Sequence, residues 1–159
     1  MSRPPAHAPT RPALLLSVGI AVALGACHTS WAALGGTADS VARDAALLSG
    51  SDAVTQSASY DLHEITAATG TTVREYVSRQ GTVFAVSWEG RGSPDVAQLL
   101  GSSYAAYVAA AHAHRTGHHL VVVNTPDLVA SVLVVQHRSI GHVHVPALLP
   151  AGVTPADLH

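Results

Sequence analysis

Tyr60-Asp61-Leu62-His63-Glu64-Ile65-Thr66, Thr71-Thr72-Val73-Arg74-Glu75-Tyr76-Val77-Ser78 and Thr82-Val83-Phe84-Ala85-Val86-Ser87-Trp88 follow one another closely, with Gly70 and Gln80-Gly81 marking the turns. Each run is rich in β-branched or aromatic residues, which suit a pleated, half-buried strand. Links this short cannot hold a crossover, so neighbouring strands pair antiparallel as a meander. In the third run a strict period of two puts Phe84, Val86 and Trp88 on one face and Val83 and Ala85 on the other. Apolar residues on both faces predict an inner strand.

Moving toward the C-terminus, Ser93-Pro94-Asp95 reads as a helix start. Ser93 caps the free amides, Pro94 suits the first helical position, and Asp95 sits at the positive end of the dipole. The helix then runs to about His112. Val96, Leu99, Leu100, Ser103, Tyr107 and Ala111 recur at steps of three and four, giving an apolar stripe that lies across a sheet, with a bend expected at Gly101. Thr116-Gly117 stops it. His119 to Val123 reads as a buried strand, Asn124-Thr125-Pro126-Asp127 as a turn, and Leu128 to Gln136 as the returning hairpin partner. Ile140 to Val145 is a last strand, read as an exposed edge open to a partner strand.

The expected architecture is therefore α+β: a mainly antiparallel sheet of five or six strands with one long helix packed on a face, in the order βββ-α-βββ. This domain is expected over residues 60–150, with a polar C-terminal tail at 151–159. Residues 33–59 are mostly Ala, Gly, Ser, Thr and Asp, which predicts a flexible arm carrying a short helix over Thr37 to Leu48 and a linker at Gly50 to Ser57.

The first 32 residues read differently. Arg3 and Arg11 precede the apolar run Ala13 to Leu24, which is short of the roughly 20 residues a membrane helix needs, so a signal peptide is expected and no membrane span. Two exits compete. Ser30-Trp31-Ala32 offers small residues to a general signal peptidase and releases a soluble periplasmic or secreted chain. Leu24-Gly25-Ala26-Cys27 looks like a lipobox, which would lipidate Cys27 and yield an outer-membrane lipoprotein. Cys27 is the sole cysteine, so no intrachain disulfide forms and a packed core must supply stability.

Past Ala32 the chain keeps six arginines against ten acids, a net charge of −4 that argues against nucleic acid. With no lysine anywhere, Schiff-base chemistry, a P-loop and a Ser-x-x-Lys nucleophile are excluded.

Tyr60-Asp61-Leu62-His63-Glu64-Ile65, Val73-Arg74-Glu75-Tyr76, Val83 to Trp88 and Pro94-Asp95-Val96-Ala97-Gln98-Leu99-Leu100-Gly101 together resemble an uncharacterised family of small exported proteobacterial proteins, the domain of unknown function numbered 2844. The likeness runs from Ala33-Leu34-Gly35-Gly36 to Pro146-Ala147-Leu148-Leu149-Pro150. It implies export and cleavage near Ala32, and it carries no catalytic residue. The chain departs from the family's pattern around Ala130 to His144, so a histidine-based role is not part of what the resemblance implies.

Nine of the 11 histidines lie beyond Ala32. On a strand His142 and His144 point to one face while Val143 and Val145 point to the core, so the two imidazoles are the best candidate ligands for a transition metal. His112 and His114 diverge on a helix, as do His118 and His119 on a strand. Glu64 and Glu75 face each other as a carboxylate pair across the first hairpin, or more simply belong to a solvated face with Arg74 and Arg79. No Gly-x-Ser-x-Gly occurs, and Gly90-Arg91-Gly92 lacks a dinucleotide site's third glycine. Tyr104, Tyr107 and Trp88 read as core or rim aromatics. The functional expectation is a non-catalytic envelope module that binds another macromolecule or cell-surface component. A periplasmic metal binder using His142 and His144, or a small secreted hydrolase, are the alternatives.

Overall fold

The computed structural model describes residues 34–113 and 119–158. The expected signal peptide, Cys27, His114 and His118 lie outside the described residues.

The meander forms as its residues require. β2 (Tyr60–Thr66), β3 (Thr72–Ser78) and β4 (Val83–Arg91) pair antiparallel in sequence order. The alternation within β4 is broken, however. Tyr76 pairs with Ala85 and Val77 with Val83, which leaves Phe84 as the extra residue of a bulge. Phe84 therefore joins Ala85 on one face, while Val86 and Trp88 stay with Val83 on the other. The expectation that Phe84, Val86 and Trp88 share a face is corrected by this one inserted residue.

The sheet has seven strands rather than five or six. The added strand is β1 (Ser51–Gln56), from the stretch read as a linker, and it pairs with β2 along its whole length. All six of its residues are exposed and mostly polar, so it carries no apolar alternation for a sequence pattern to show. Backbone pairing holds it, aided by a turn in which Ser57 Oγ donates to the Tyr60 carbonyl at 2.8 Å. The rest of the arm is equally built in. α1 (Ala38–Leu47) buries Ser40, Val41, Asp44 and Ala45 as one stripe, and Leu34 enters the main core.

Beyond β4, the expected long helix is broken into α2 (Val96–Leu100), a single 3₁₀ turn at Gly101–Ser103, and α3 (Tyr104–Ala113). Gly101 has φ +46° and ψ −120°, a conformation that cannot continue an α-helix and that glycine adopts without penalty. The cap is Asp95 and not Ser93: its carboxylate accepts the Gln98 amide N–H at 3.1 Å. Leu99 and Leu100 are buried as the stripe requires, whereas α3 buries no residue fully and lies against β5 (Leu120–Asn124).

The chain then returns by two hairpins, β5 to β6 (Val129–Val135) to β7 (Arg138–His144), and β7 docks on β4. The final order is β1-β2-β3-β4-β7-β6-β5, antiparallel throughout. β7 is thus an interior strand, contrary to its reading as an exposed edge, and the edges are β1 and β5. Trp88 explains the glycine opposite it. A Cβ on Gly141 would overlap the Trp88 ring, whose Nε1 donates to Ser139 Oγ at 2.9 Å.

Two cores result. The first face, with Ile65, Val73, Val86, Trp88, Ala130 and Val143, is covered by α1, α2 and Leu34. The second face carries Tyr76, Phe84 and Ala85, with Tyr60 in edge contact with Tyr76 at 5.6 Å and Phe84 at 5.9 Å. Leu148, Leu149, Val153 and Leu158 close over it, so the segment expected to be a tail is a lid on the sheet. A 3₁₀ turn at Pro155–Asp157 fixes its end, with Asp157 Oδ2 accepting from Thr154 N and Oγ1 at 2.7 and 2.8 Å.

Candidate functional site

The lid reaches only part of the second face. One cross-strand row on that face reads Glu64, Arg74, Ser87, His142, Ser131, Val122 from β2 to β5. At its left end Arg74 Nε donates to Glu64 Oε2 at 2.8 Å. Glu64 and Glu75 are therefore not a carboxylate pair, because adjacent residues' alternation sends Glu75 to the opposite face.

His142 and His144 do share a face, as β-strand spacing requires, with Val143 buried behind them. They line a pocket of about 250 Å³ with Val129, Ser131, Pro155 and Leu158. Burial lowers the His144 pKa, so its ring is held neutral further into the acid range than a free imidazole. Ser87, across from His142 in the register, buries its hydroxyl with no hydrogen-bond partner among the described residues. Among the described residues no three His, Cys, Asp or Glu side chains cluster to hold a metal.

Beyond the histidines the face turns apolar and open. Val122, Leu133 and Val135 are 42, 36 and 48% exposed, and the register sets Leu120 beside Leu133 and Leu133 beside Ile140. A shallow groove of about 180 Å³ runs along Leu133, Val135, Gln136, Arg138 and Ile140. It adjoins a larger cleft of about 680 Å³ lined by Gly70, Gly90, Arg91, Gln136, His137 and Arg138. That cleft forms where the turn after β2, the end of β4 and the β6–β7 hairpin converge.

A family model described as a protein of unknown function, DUF2844, matches residues 30–158. The chain belongs to the DUF2844 family. Comparison with curated proteins and with solved structures yields no match. The DUF2844 match covers every described element, from α1 to the C-terminal lid, so the arm and the lid belong to the family's domain as much as the meander does.

Sequence reasoning missed one polar cluster of this DUF2844 domain altogether. On the first face Glu75, fully buried, meets Asp44 of α1, while Gln98 Nε2 of α2 donates to Asp44 Oδ1 at 2.5 Å. Glu75 Oε1 and Oε2 and Asp44 Oδ2 are buried without a hydrogen-bond partner among the described residues, so the Glu75 carboxyl is held in its neutral, protonated form beside Asp44. Burial first, then the Asp44 carboxyl, pushes the Glu75 pKa up to about 9. Burial likewise raises Asp44. Next to this pair in the register, His63 Nδ1 lies 2.9 Å from Asp52 Oδ2. A signal was present in the sequence: Glu75 stands between Val73 and Val77 on a face of alternate apolar residues.

Proposed function

We propose that this chain is an exported, non-catalytic module of the cell envelope that holds a partner against the uncovered part of its second face. The observation that carries the reading is the continuous exposure of Val122, Leu133 and Val135 beside Leu120 and Ile140, on the same face that the C-terminal lid closes elsewhere. A small domain gains nothing from leaving such aliphatics in water, and contiguous patches of this kind mark contact surfaces. Export is supported by the basic start, short apolar run and small-residue exit before Ala33, and by a family match that begins only at residue 30.

Photo-crosslinking in intact cells tests it. A crosslinker at Val135 is expected to capture an envelope component, whereas one at Leu47, exposed on α1, is not. Equal labelling from both positions, or full-length cytoplasmic protein by intact mass, sinks the proposal.

A second reading, transition-metal binding by His142 and His144, draws on their shared face and pocket. Calorimetry with zinc or copper on the metal-free protein decides it. Sub-micromolar affinity lost in the double His→Ala variant establishes the site, and heat that survives the substitution removes it.

A further inference from the structure

We infer that the partner is an anionic lipid surface, its headgroups held at Arg91 and Arg138 and its acyl region against Leu133, Val135 and Ile140; this rests on the contact-face reading above.

The two arginines are direct cross-strand partners on β4 and β7. Like charges placed opposite each other on a sheet repel, and the arrangement is relieved when an anion sits between them. Arg138 is partly compensated, since its Nη2 donates to Glu89 Oε1 at 2.5 Å. Arg91 is not. Among the described arginines Arg74 and Arg79 are ion-paired and Arg43 acts on Asp44, while Arg91, exposed and lining the cleft, has no carboxylate partner among the described residues. Two guanidinium groups beside His137 thus leave local positive charge on a chain with an overall excess of acid.

The shape of the surrounding surface selects the kind of anion. Gln136 and Arg138 belong to both the cationic cleft and the aliphatic groove, so charge and apolar surface form one continuous strip. A free phosphate leaves Leu133 and Val135 in water, and a polyanion without apolar parts does the same. An amphiphile with its charge at one end satisfies both halves. Within an envelope such molecules form a surface, and arginines near one gain from its negative potential.

The test uses the processed protein recovered from cells expressing the Cys27→Ala chain, which carries no lipid anchor. It is floated with vesicles of phosphatidylcholine alone and with vesicles of equal parts phosphatidylcholine and phosphatidylglycerol. Binding is expected only to the anionic vesicles and weakens as salt rises. Arg91→Gln lowers it about fivefold, and adding Arg138→Gln lowers it about fivefold again. Val135→Asp lowers it further. Both arginines are exposed, so thermal transitions close to the parent's are expected, and the comparison of two vesicle compositions stands without any variant. Equal binding to neutral and anionic vesicles, unchanged binding in the double arginine variant, or no binding at all overturns the inference. A dimer broken by Val135→Asp, with no vesicle binding, overturns it by making a second copy the occupant. If the lipid result is negative while Val135 still crosslinks an envelope protein, the lipid inference fails and the contact-face reading stands. If both are negative, both fail.

Discussion

Glu75 is the residue whose surroundings contradict its chemistry most, a carboxyl buried in the main core beside another carboxyl, Asp44. Its folded pKa of about 9 lies above the ordinary 4.5, so the unfolded chain binds fewer protons between those values. Stability from the protonated pair is therefore full below about pH 4.5 and is lost as pH rises through about 9. Glu75→Gln keeps the shape and cannot ionise beside Asp44. It is expected to raise stability at pH 8 by on the order of 2 kcal/mol and to flatten the alkaline decline, measured by urea unfolding across pH. Glu75→Ala leaves a cavity in the main core beside the buried Asp44 and is expected to destabilise. His144 works in the opposite direction. Its pKa is lowered by burial, so stability is present above the ordinary imidazole range and falls as pH drops through it. His144→Gln is expected to lose part of that acid sensitivity, and an unchanged acid limb contradicts the burial argument. Of these residues the alternation of β3 already placed Glu75 on an apolar face. Asp44 was hidden, because it lies on a helix distant in sequence from Glu75 and no local pattern encodes that meeting.

Among the elements, β2 and β3 were legible almost to the residue, since β-branched runs between glycine turns leave few other solutions, while β4 runs three residues past its expected end at Trp88. β1 was not, because an exposed polar edge strand is held by backbone pairing that leaves no apolar pattern behind. The position of β7 was also hidden. A hairpin pattern gives adjacent strands but not which of them closes onto β4, and here the chain runs to the far edge before returning. The helix stripe was read correctly at Leu99 and Leu100, while Gly101 breaks the helix more sharply than a bend. Leu99→Asp buries an unpaired charge and is expected to cost several kcal/mol, roughly enough to unfold the domain, as read by the thermal transition. Gly141→Ala tests how β4 and β7 pack. Its methyl group overlaps the Trp88 ring, and a loss of about 3 kcal/mol is expected, with tryptophan fluorescence altered in whatever still folds. A transition unmoved by that substitution contradicts the packing of Trp88 over Gly141.

At the scale of the molecule, one sheet is covered by helices on the first face and only partly by the C-terminal lid on the second. The sequence pattern made the sheet and the covering helix legible, and it put His142 and His144 on a common face. It did not make the open surface legible, because Val122, Leu133 and Val135 look like core residues until the folded sheet shows them partly exposed, on a part of the face that the described lid does not reach. The central claim is that this uncovered face is what the protein presents to its envelope partner. Substituting threonine at Val122, Leu133 and Val135 together puts a β-branched residue of high strand propensity at all three positions while replacing aliphatic surface with hydroxyls, so the fold is expected to persist. The deciding measurement is the fraction of this triple variant that co-sediments with isolated envelope membranes, relative to the parent chain. A soluble, cooperatively unfolding triple variant that no longer co-sediments is expected; one that folds and still co-sediments as the parent does contradicts the contact role of this face.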